Sequence, residues 1–376
     1  MPFPTWNYRM VTRLLIYRLG SLGDTLLALP AFHLIRENFP EARITLLTHL
    51  PAESKAPAIV SVLEHTNLHQ GVIRYPLRLR SVRQIKALRD EIAAGQFQLA
   101  IHLAESRGTA KTLRDYVFLR ACGIRRVVGL PWGRETLAAD GTGQAEWEPR
   151  RLLRRLACLG KPNLEEEKWW DLRLRPEELE RADKILSPFR GPFLAASLGT
   201  KVEVNHWTEG NWRSLLRQIH QRHPNLNLVL LGAADEFAAC ERCSQDWTGP
   251  KLNLCGEVPP RVSAAILRRA RLFVGHDSGP LHLAATVGTP WVGIYSARHW
   301  PGQWFPRGRH NALLYHRTPC AGCGLDVCVE HGKKCILSIT VEEAMTAVET
   351  QLSDGRGELG GRMAGGPRAA NAVTAA

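Results

Sequence analysis

This sequence predicts an α/β protein of two doubly wound domains facing one another across a cleft, and three observations carry that reading. The chain has 376 residues, more than one hydrophobic core usually organises. Short runs rich in β-branched and apolar residues alternate with amphipathic stretches, the pattern of parallel strands joined by helices. That rhythm breaks off around residues 171–191 and then starts again.

In the first half the strand runs are 13–17, 43–48, 71–75, 99–103 and 126–130. Helical stretches fall between them at 24–38, 81–93 and 109–121, and a further one covers 148–159. In the second half 193–197, 226–231, 271–274 and 291–295 read as strands, and 209–220, 235–243, 263–269 and 280–287 as helices. At the join, Arg175-Pro176-Glu177-Glu178 enters a helix with proline in its first turn, where the missing N–H costs nothing. Pro188 and Gly191-Pro192 then punctuate before the next strand. The domains are accordingly set at 1–175 and 176–352. Residues 353–376 are rich in Gly and Ala, too poor in large apolar side chains to pack, and are expected to be a disordered tail.

With 44% hydrophobic and 23% charged residues the composition is globular, not that of a disordered or membrane chain. No run approaches the roughly 18 apolar residues that span a bilayer. Residues 10–16 are apolar but short and interrupted by Arg13, so no signal peptide is read and a cytoplasmic enzyme is expected. A net charge of +13 favours anionic partners, whether nucleotide, phosphorylated glycan or membrane surface. The chain carries no helix-turn-helix, zinc-finger or aromatic single-strand motif, which disfavours nucleic acid.

Two glycine loops carry the chemistry. Leu14-Leu15-Ile16-Tyr17 feeds Arg18-Leu19-Gly20-Ser21-Leu22-Gly23-Asp24, which opens a helix. Backbone N–H groups converge at such a strand–glycine–helix junction and can bind an anion. The spacing Gly20-x-x-Gly23 lacks a third glycine, so it is not the dinucleotide fingerprint. Asp24 is either a helix cap or a general base, since a base needs an ionised carboxylate on a loop that faces substrate.

The second loop is Gly275-His276-Asp277-Ser278-Gly279-Pro280, running from a short buried-type strand into a helix. Ser278 and Gly279 would offer a hydroxyl and backbone donors to a diphosphate, with the helix dipole behind them. Pro280 suits the first helical turn. His282 would reach phosphate or pack beneath the loop.

Asp277-Ser278-Gly279-Pro280-Leu281-His282-Leu283-Ala284-Ala285, followed by Gly288-Thr289-Pro290, resembles the donor-site signature of the heptosyltransferase family, glycosyltransferase family 9. Arg18-Leu19-Gly20-Ser21-Leu22-Gly23-Asp24 with Leu29-Pro30-Ala31 resembles its other hallmark. The resemblance covers roughly residues 12 to 345. It implies a GT-B fold of two Rossmann-like domains, an acceptor-binding one followed by a donor-binding one. It also implies an inverting transfer with no catalytic metal and no cofactor, and a nucleotide-sugar donor, typically ADP-heptose. The aspartate matching Asp24 is the family's proposed general base, within an acceptor loop that includes Gly20, Ser21 and Gly23.

The resemblance places Glu236, in Leu230-Leu231-Gly232-Ala233-Ala234-Asp235-Glu236, at the ribose of the donor; by itself the residue reads equally as an ordinary acid at a helix N-terminus. It also places Ser197-Leu198-Gly199-Thr200 at the opening of the phosphate site, so that Ser197, Thr200, Lys201, Glu236, Asp277, Ser278, Gly279, Pro280 and His282 form the expected donor set. The family has a lysine two positions before the tryptophan matching Trp207, and this chain has Asn205 there. Lys201 is the nearest replacement cation, or else a solvated loop lysine; a changed donor chemistry would also fit Asn205.

Cys320-x-x-Cys323-x4-Cys328-x6-Cys335 has a spacing that structural zinc, reduced packed thiols or disulfides would each satisfy. Cys240 and Cys243, three apart on a helix, read as buried packing. Arg78, Arg80, Arg83, Lys86 and Arg89, then Arg107, Lys111 and Arg114, form a basic side that would meet phosphates and acidic sugars of a lipopolysaccharide core, membrane headgroups, or only solvent. Trp300, Trp304 and Phe305 would wall the sugar pocket or simply be buried. The expected protein is a monomeric glycosyltransferase with a lipopolysaccharide-type acceptor and peripheral contact with the inner membrane. A nucleotide-sugar 2-epimerase and a non-catalytic glycan- or nucleotide-binding protein on the same scaffold are the rivals.

Overall fold

The computed structural model describes residues 11–49, 59–76, 81–132, 144–308 and 311–353. The chain divides into two compact units, one running to Arg173 and including Gly302–Trp304, the other taking Leu174–Pro301 and the chain from Phe305 on.

The first unit runs β1 (Arg13–Tyr17), α1 (Leu22–Leu27), α2 (Leu29–Asn38), β2 (Arg43–His49), α3 (Ile59–Leu63), β3 (Gly71–Tyr75), α4 (Val82–Ala94), β4 (Leu99–His102), α5 (Thr109–Ala121), β5 (Val127–Val128) and α6 (Glu148–Arg155). Its five strands are all parallel, in the order β3-β2-β1-β4-β5. β1 and β4 hold Leu14, Leu15, Ile16, Leu99, Ala100 and Ile101 out of solvent, the apolar run expected of a parallel strand covered on both faces.

The second unit runs α7 (Pro176–Leu186), β6 (Phe193–Ser197), α8 (Glu209–Arg222), β7 (Asn227–Leu230), α9 (Phe237–Cys243), β8 (Lys251–Asn253), α10 (Pro260–Leu267), β9 (Leu272–His276), α11 (Gly279–Thr286), β10 (Trp291–Tyr295), β11 (Ala312–Tyr315), α12 (Lys334–Leu337) and α13 (Val341–Ser353). Its six strands are parallel in the order β11-β10-β9-β6-β7-β8. Trp207, Trp212, Leu215 and Ile219 pack with Leu228, Leu230, Val274 and Ile294 in its core. Both units are thus Rossmann-like, as the sequence predicts. In each, chain direction across the sheet reverses at one place, between β1 and β4 and between β6 and β9. Ligands of doubly wound sheets gather at the carboxyl ends of those strands.

The sequence does not predict α3, β8, β11, α12 or α13, and three of the elements it does predict are redrawn. Helix 24–38 is two helices, broken at Ala28, because Pro30 near the start of α2 has no N–H to continue the ladder. Helix 148–159 ends at Arg155 and finishes as a 3₁₀ turn, Ala157–Leu159. The run 126–130 contributes only Val127 and Val128 to the sheet. The segment 354–376, Arg78 and Arg80 lie outside the described residues.

Candidate active site

In the first unit, the turn after β1 is built around Asp24. Ser21, not Asp24, is the N-cap of α1, and Asp24 stands in the third helical position. The Ser21 backbone N–H and its hydroxyl both donate to Asp24 Oδ2, each at 2.6 Å. Among the described residues Oδ1 accepts no hydrogen bond, so one carboxylate oxygen is anchored and the other is available to a ligand. Gly20 has φ +141°, and a β-carbon there would lie 2.5 Å from Asp24 Cβ. Only glycine serves at that place, for conformation and for room.

A buried charge cluster, unmarked in the sequence reading, holds this turn from below. The Arg18 guanidinium donates to the Asp24 carbonyl at 2.7 Å and to the Leu103 carbonyl at 2.6 Å, tying the loop after β1 to the end of β4. Glu148, fully buried on α6, neutralises Arg18 at 3.2 Å and takes Arg151 Nε at 2.6 Å. Glu105 joins the same electrostatic neighbourhood. Burial chiefly, then the negative charge of Glu148, pushes its carboxyl above the ordinary range, with Asp24 adding to the effect. Arg18 opens the first glycine motif, but its partner lies 130 residues away, a pairing that no local pattern signals.

Tyr17, at the end of β1, begins a second polar network. Its hydroxyl lies 3.0 Å from that of Tyr75, and Arg107 donates to Tyr17 at 3.3 Å and to Asp115 at 3.0 Å. His102 lies 3.4 Å from the same carboxylate. Burial first of all holds the His102 imidazole below its ordinary range.

In the second unit three loops come together at the carboxyl end of the sheet. Ser197 and Gly275 are paired in register, so the loops after β6 and β9 leave side by side, and β7 lies on the other flank of β6. Glu236 turns back over these loops. Its carboxylate accepts from the Ala233 N–H at 2.9 Å. β-carbons on Gly199 and Gly232 would meet it at 1.9 and 2.2 Å.

Ser278 is the N-cap of α11, yet its hydroxyl caps nothing. Among the described residues Ser278 Oγ is buried with no hydrogen-bond partner. A buried orphan hydroxyl at a helix N-terminus beside glycine backbone is the arrangement an anionic oxygen would complete. Pro280 sits in the first turn. His282 is buried against Asp277 at 3.9 Å. The Tyr295 phenol is pushed far up, first by burial and then by the Asp277 charge beside it.

His276 is structural. Its Nε2 accepts from the Trp207 backbone N–H and from Trp212 Nε1, both at 3.1 Å, which leaves Nδ1 to donate to the Gly199 carbonyl at 3.4 Å. Burial pushes this imidazole down to about 3, so it stays neutral and props the loop after β6. Next to it Thr208 has φ +76°, a strained place for a β-branched residue, held where its hydroxyl accepts from the Asn211 N–H at 3.2 Å.

Asn205 is buried and accepts a hydrogen bond from the Ser296 hydroxyl. Lys201 is exposed and has no ion pair among the described residues. Lys333, which the sequence reading did not single out, lies against the same segment, 2.6 Å from Glu203 and 3.4 Å from the His206 carbonyl. Among the described residues Thr200 donates to the Val202 carbonyl alone, at 3.3 Å. Phe305 packs edge-on to Tyr295 and Tyr315, which is a packing role. Cys320, Cys323, Cys328 and Cys335 are free thiols, and among the described residues no three His, Cys, Asp or Glu side chains are grouped to hold a metal ion. Cys240 and Cys243 are buried on α9.

Comparison with known proteins adds to this geometry. The model of a family described as glycosyltransferase family 9 (heptosyltransferase) matches residues 86–333. The lipopolysaccharide core heptosyltransferase OpsX of Haemophilus influenzae is 24% identical over 292 residues, covering 75% of this chain and 78% of that protein. Among solved structures, a glycosyl transferase family 9 protein from Veillonella parvula superposes with a TM-score of 0.70 at 17% identity, covering 92% of this chain and 98% of its own. The Escherichia coli heptosyltransferase WaaC with ADP-2-deoxy-2-fluoro heptose gives 0.60 at 15%, covering 90% and 99%. At such identities these two superpositions speak for the fold, which is GT-B.

Proposed function

The chain belongs to glycosyltransferase family 9, and from that premise we propose that it transfers heptose from ADP-heptose to a lipopolysaccharide core acceptor with inversion at the anomeric carbon. The single observation that carries the donor reading is the orphaned Ser278 hydroxyl at the N-terminus of α11. In this reading the diphosphate accepts from Ser278 and the Gly279 N–H, with Ser197, Thr200, Asp277, Pro280 and His282 shaping the loop. Glu236 takes the ribose hydroxyls. Lys201 supplies counter-charge, since Lys333 is already paired with Glu203.

Asp24 takes the proton from the acceptor hydroxyl as that oxygen attacks the anomeric carbon. A carboxylate with one oxygen fixed by Ser21 and the other without a hydrogen bond among the described residues suits that task. Charge building on the departing diphosphate is met by the fixed dipoles of the Ser278 loop. No residue in this scheme requires a metal or a cofactor. The name of the Haemophilus relative supports the core acceptor, and the basic charge of the chain suits an anionic, membrane-borne glycan met by a monomer at the inner membrane. A glycosyl-transferring family favours transfer over epimerisation, in keeping with an acceptor-side base. The reading extends to the division of labour: the domain 1–175 binds acceptor and 176–352 binds donor.

The test is thermal stabilisation by a panel of ADP-, GDP- and UDP-sugars, because a ligand that binds the folded state raises its apparent stability. ADP-heptose should stabilise most, and acceptor should then release ADP. Equal stabilisation by all three nucleotides, or donor consumption without acceptor, contradicts the reading.

A further inference from the structure

We propose that the outward face of α4 and α5 is a docking surface for an anionic lipid bilayer. The two helices cover the same face of the first sheet. β1, β2 and β3 progress in one direction and β4 and β5 in the other, so right-handed crossovers put α4 and α5 together on the face opposite α1–α3. Packing agrees, because Leu88 and Ile92 of α4 and Leu119 and Cys122 next to Leu15, Tyr17 and Ala100 form one core cluster.

The surfaces turned away from that core are apolar as well as basic. On α4, Val82 is 83% exposed; on α5, Leu113 is 51% exposed and Val117 55%. Leu113 and Val117 stand four apart, on the side of α5 opposite its buried Thr112, Asp115 and Leu119. The same two helices carry exposed Arg83, Lys86 and Lys111, none of which makes an ion pair among the described residues. Asp90 and Asp115 are already occupied by Arg89 and Arg114. Exposed Trp132 meets Tyr116 of α5 edge-on at 5.9 Å, placing an aromatic pair at the margin of the patch.

Exposed apolar side chains gathered on one side of a fold, unlike scattered ones, mark an interaction surface. Cations among apolar side chains on a helical face match an interface of acidic headgroups over acyl chains. Polarity along the fold adds direction. In parallel β-α-β units the helices begin at the carboxyl ends of the strands, so Val82, Lys111 and Leu113 lie at the end of the sheet that carries the Asp24 turn. A bilayer bound there would present a lipid-anchored acceptor on the side of the base. That last link rests on the acceptor reading above; the surface itself does not.

The experiment is co-sedimentation of the full chain with vesicles of phosphatidylcholine alone and of phosphatidylcholine mixed with phosphatidylglycerol. The expected result is binding to the anionic vesicles, weakened by salt. It should weaken about 10²-fold when Arg83, Lys86 and Lys111 are changed to Gln, and about tenfold when Val82, Leu113 and Val117 are changed to Ser. The apolar variant should keep its melting temperature and its transfer to an acceptor stripped of acyl chains. Because vesicle binding is read without turnover, a failed transferase assay leaves this result standing. No binding to anionic vesicles, binding unchanged in both variants, or loss of a dimer in place of vesicle binding overturns the proposal.

Discussion

Gly199 leaves the space that Glu236 fills: a β-carbon on Gly199 would come within 1.9 Å of the Glu236 carboxyl carbon. The loop after β6 and the loop after β7 are therefore fitted to one another through a missing side chain. Glu236 is a flexible residue that can swing away, so crowding it should disturb the ligand site far more than the fold.

Gly199→Ala is expected to raise the donor KM about tenfold, equivalent to about 1.4 kcal/mol of binding, while leaving the melting temperature nearly unchanged. Steady-state kinetics beside a thermal melt check it. A large loss of stability with unaltered KM would mean that the glycine serves the backbone and not the carboxylate.

Ser278→Ala removes a buried hydroxyl that has no partner among the described residues. Since an unsatisfied buried polar group costs about 1–3 kcal/mol, its removal should leave the ligand-free protein as stable or slightly more stable. Donor affinity should fall several-fold. Calorimetric titration with ADP measures the second effect, and unaltered affinity would take Ser278 out of the phosphate site.

Arg18→Met strips a buried carboxylate of one of its two cations and unstraps the Asp24 carbonyl. A loss of about 3 kcal/mol is expected, in the range for breaking a buried pair from one side. It would be read from the urea midpoint. Arg18→Lys should restore much of the stability but not kcat, because an ammonium cannot span Leu103, Asp24 and Glu148 as a planar fork does. Full kcat in Arg18→Lys would show that the strap does not position the base.

His276 sets an acid limit on stability. An unfolded histidine takes its proton near 6.5 and the folded His276 only near about 3, so between those values the unfolded chain binds more protons. The His276 contribution is whole above about pH 6.5 and is lost as pH falls, at about 1.4 kcal/mol per pH unit. His33, His69 and His102, also lowered by burial, add to the slope with the same sign. Urea midpoints from pH 7 to 4 should show the slope, and His276→Gln should flatten it. An unchanged slope in that variant would assign the acid sensitivity elsewhere.

What could be read from the sequence follows from how local each signal is. Runs such as Phe193–Ser197 and Trp291–Tyr295 have the same bounds in the sequence pattern and in the fold, since apolar stretches between glycine and proline punctuation leave little choice. Pro30 could have warned that one helix was two. β11 was missed because Ala312–Tyr315 is four residues with no β-branched side chain. Both glycine loops were visible as motifs, but not which histidine of the second one is a strut. That depends on Trp207 and Trp212, more than 60 residues upstream of His276. Arg18 lay inside a recognised motif without a role, because Glu148 reaches it only through the fold.

The most direct test is turnover by Asp24→Ala with ADP-heptose and a lipopolysaccharide core acceptor, measured alongside donor affinity. General-base help is worth about 10² to 10⁴ in rate, so kcat should fall by that factor while the donor Kd stays within about twofold. Wild-type turnover by Asp24→Ala would contradict the assignment of Asp24 as the base and, with it, the account of how this chain performs glycosyl transfer.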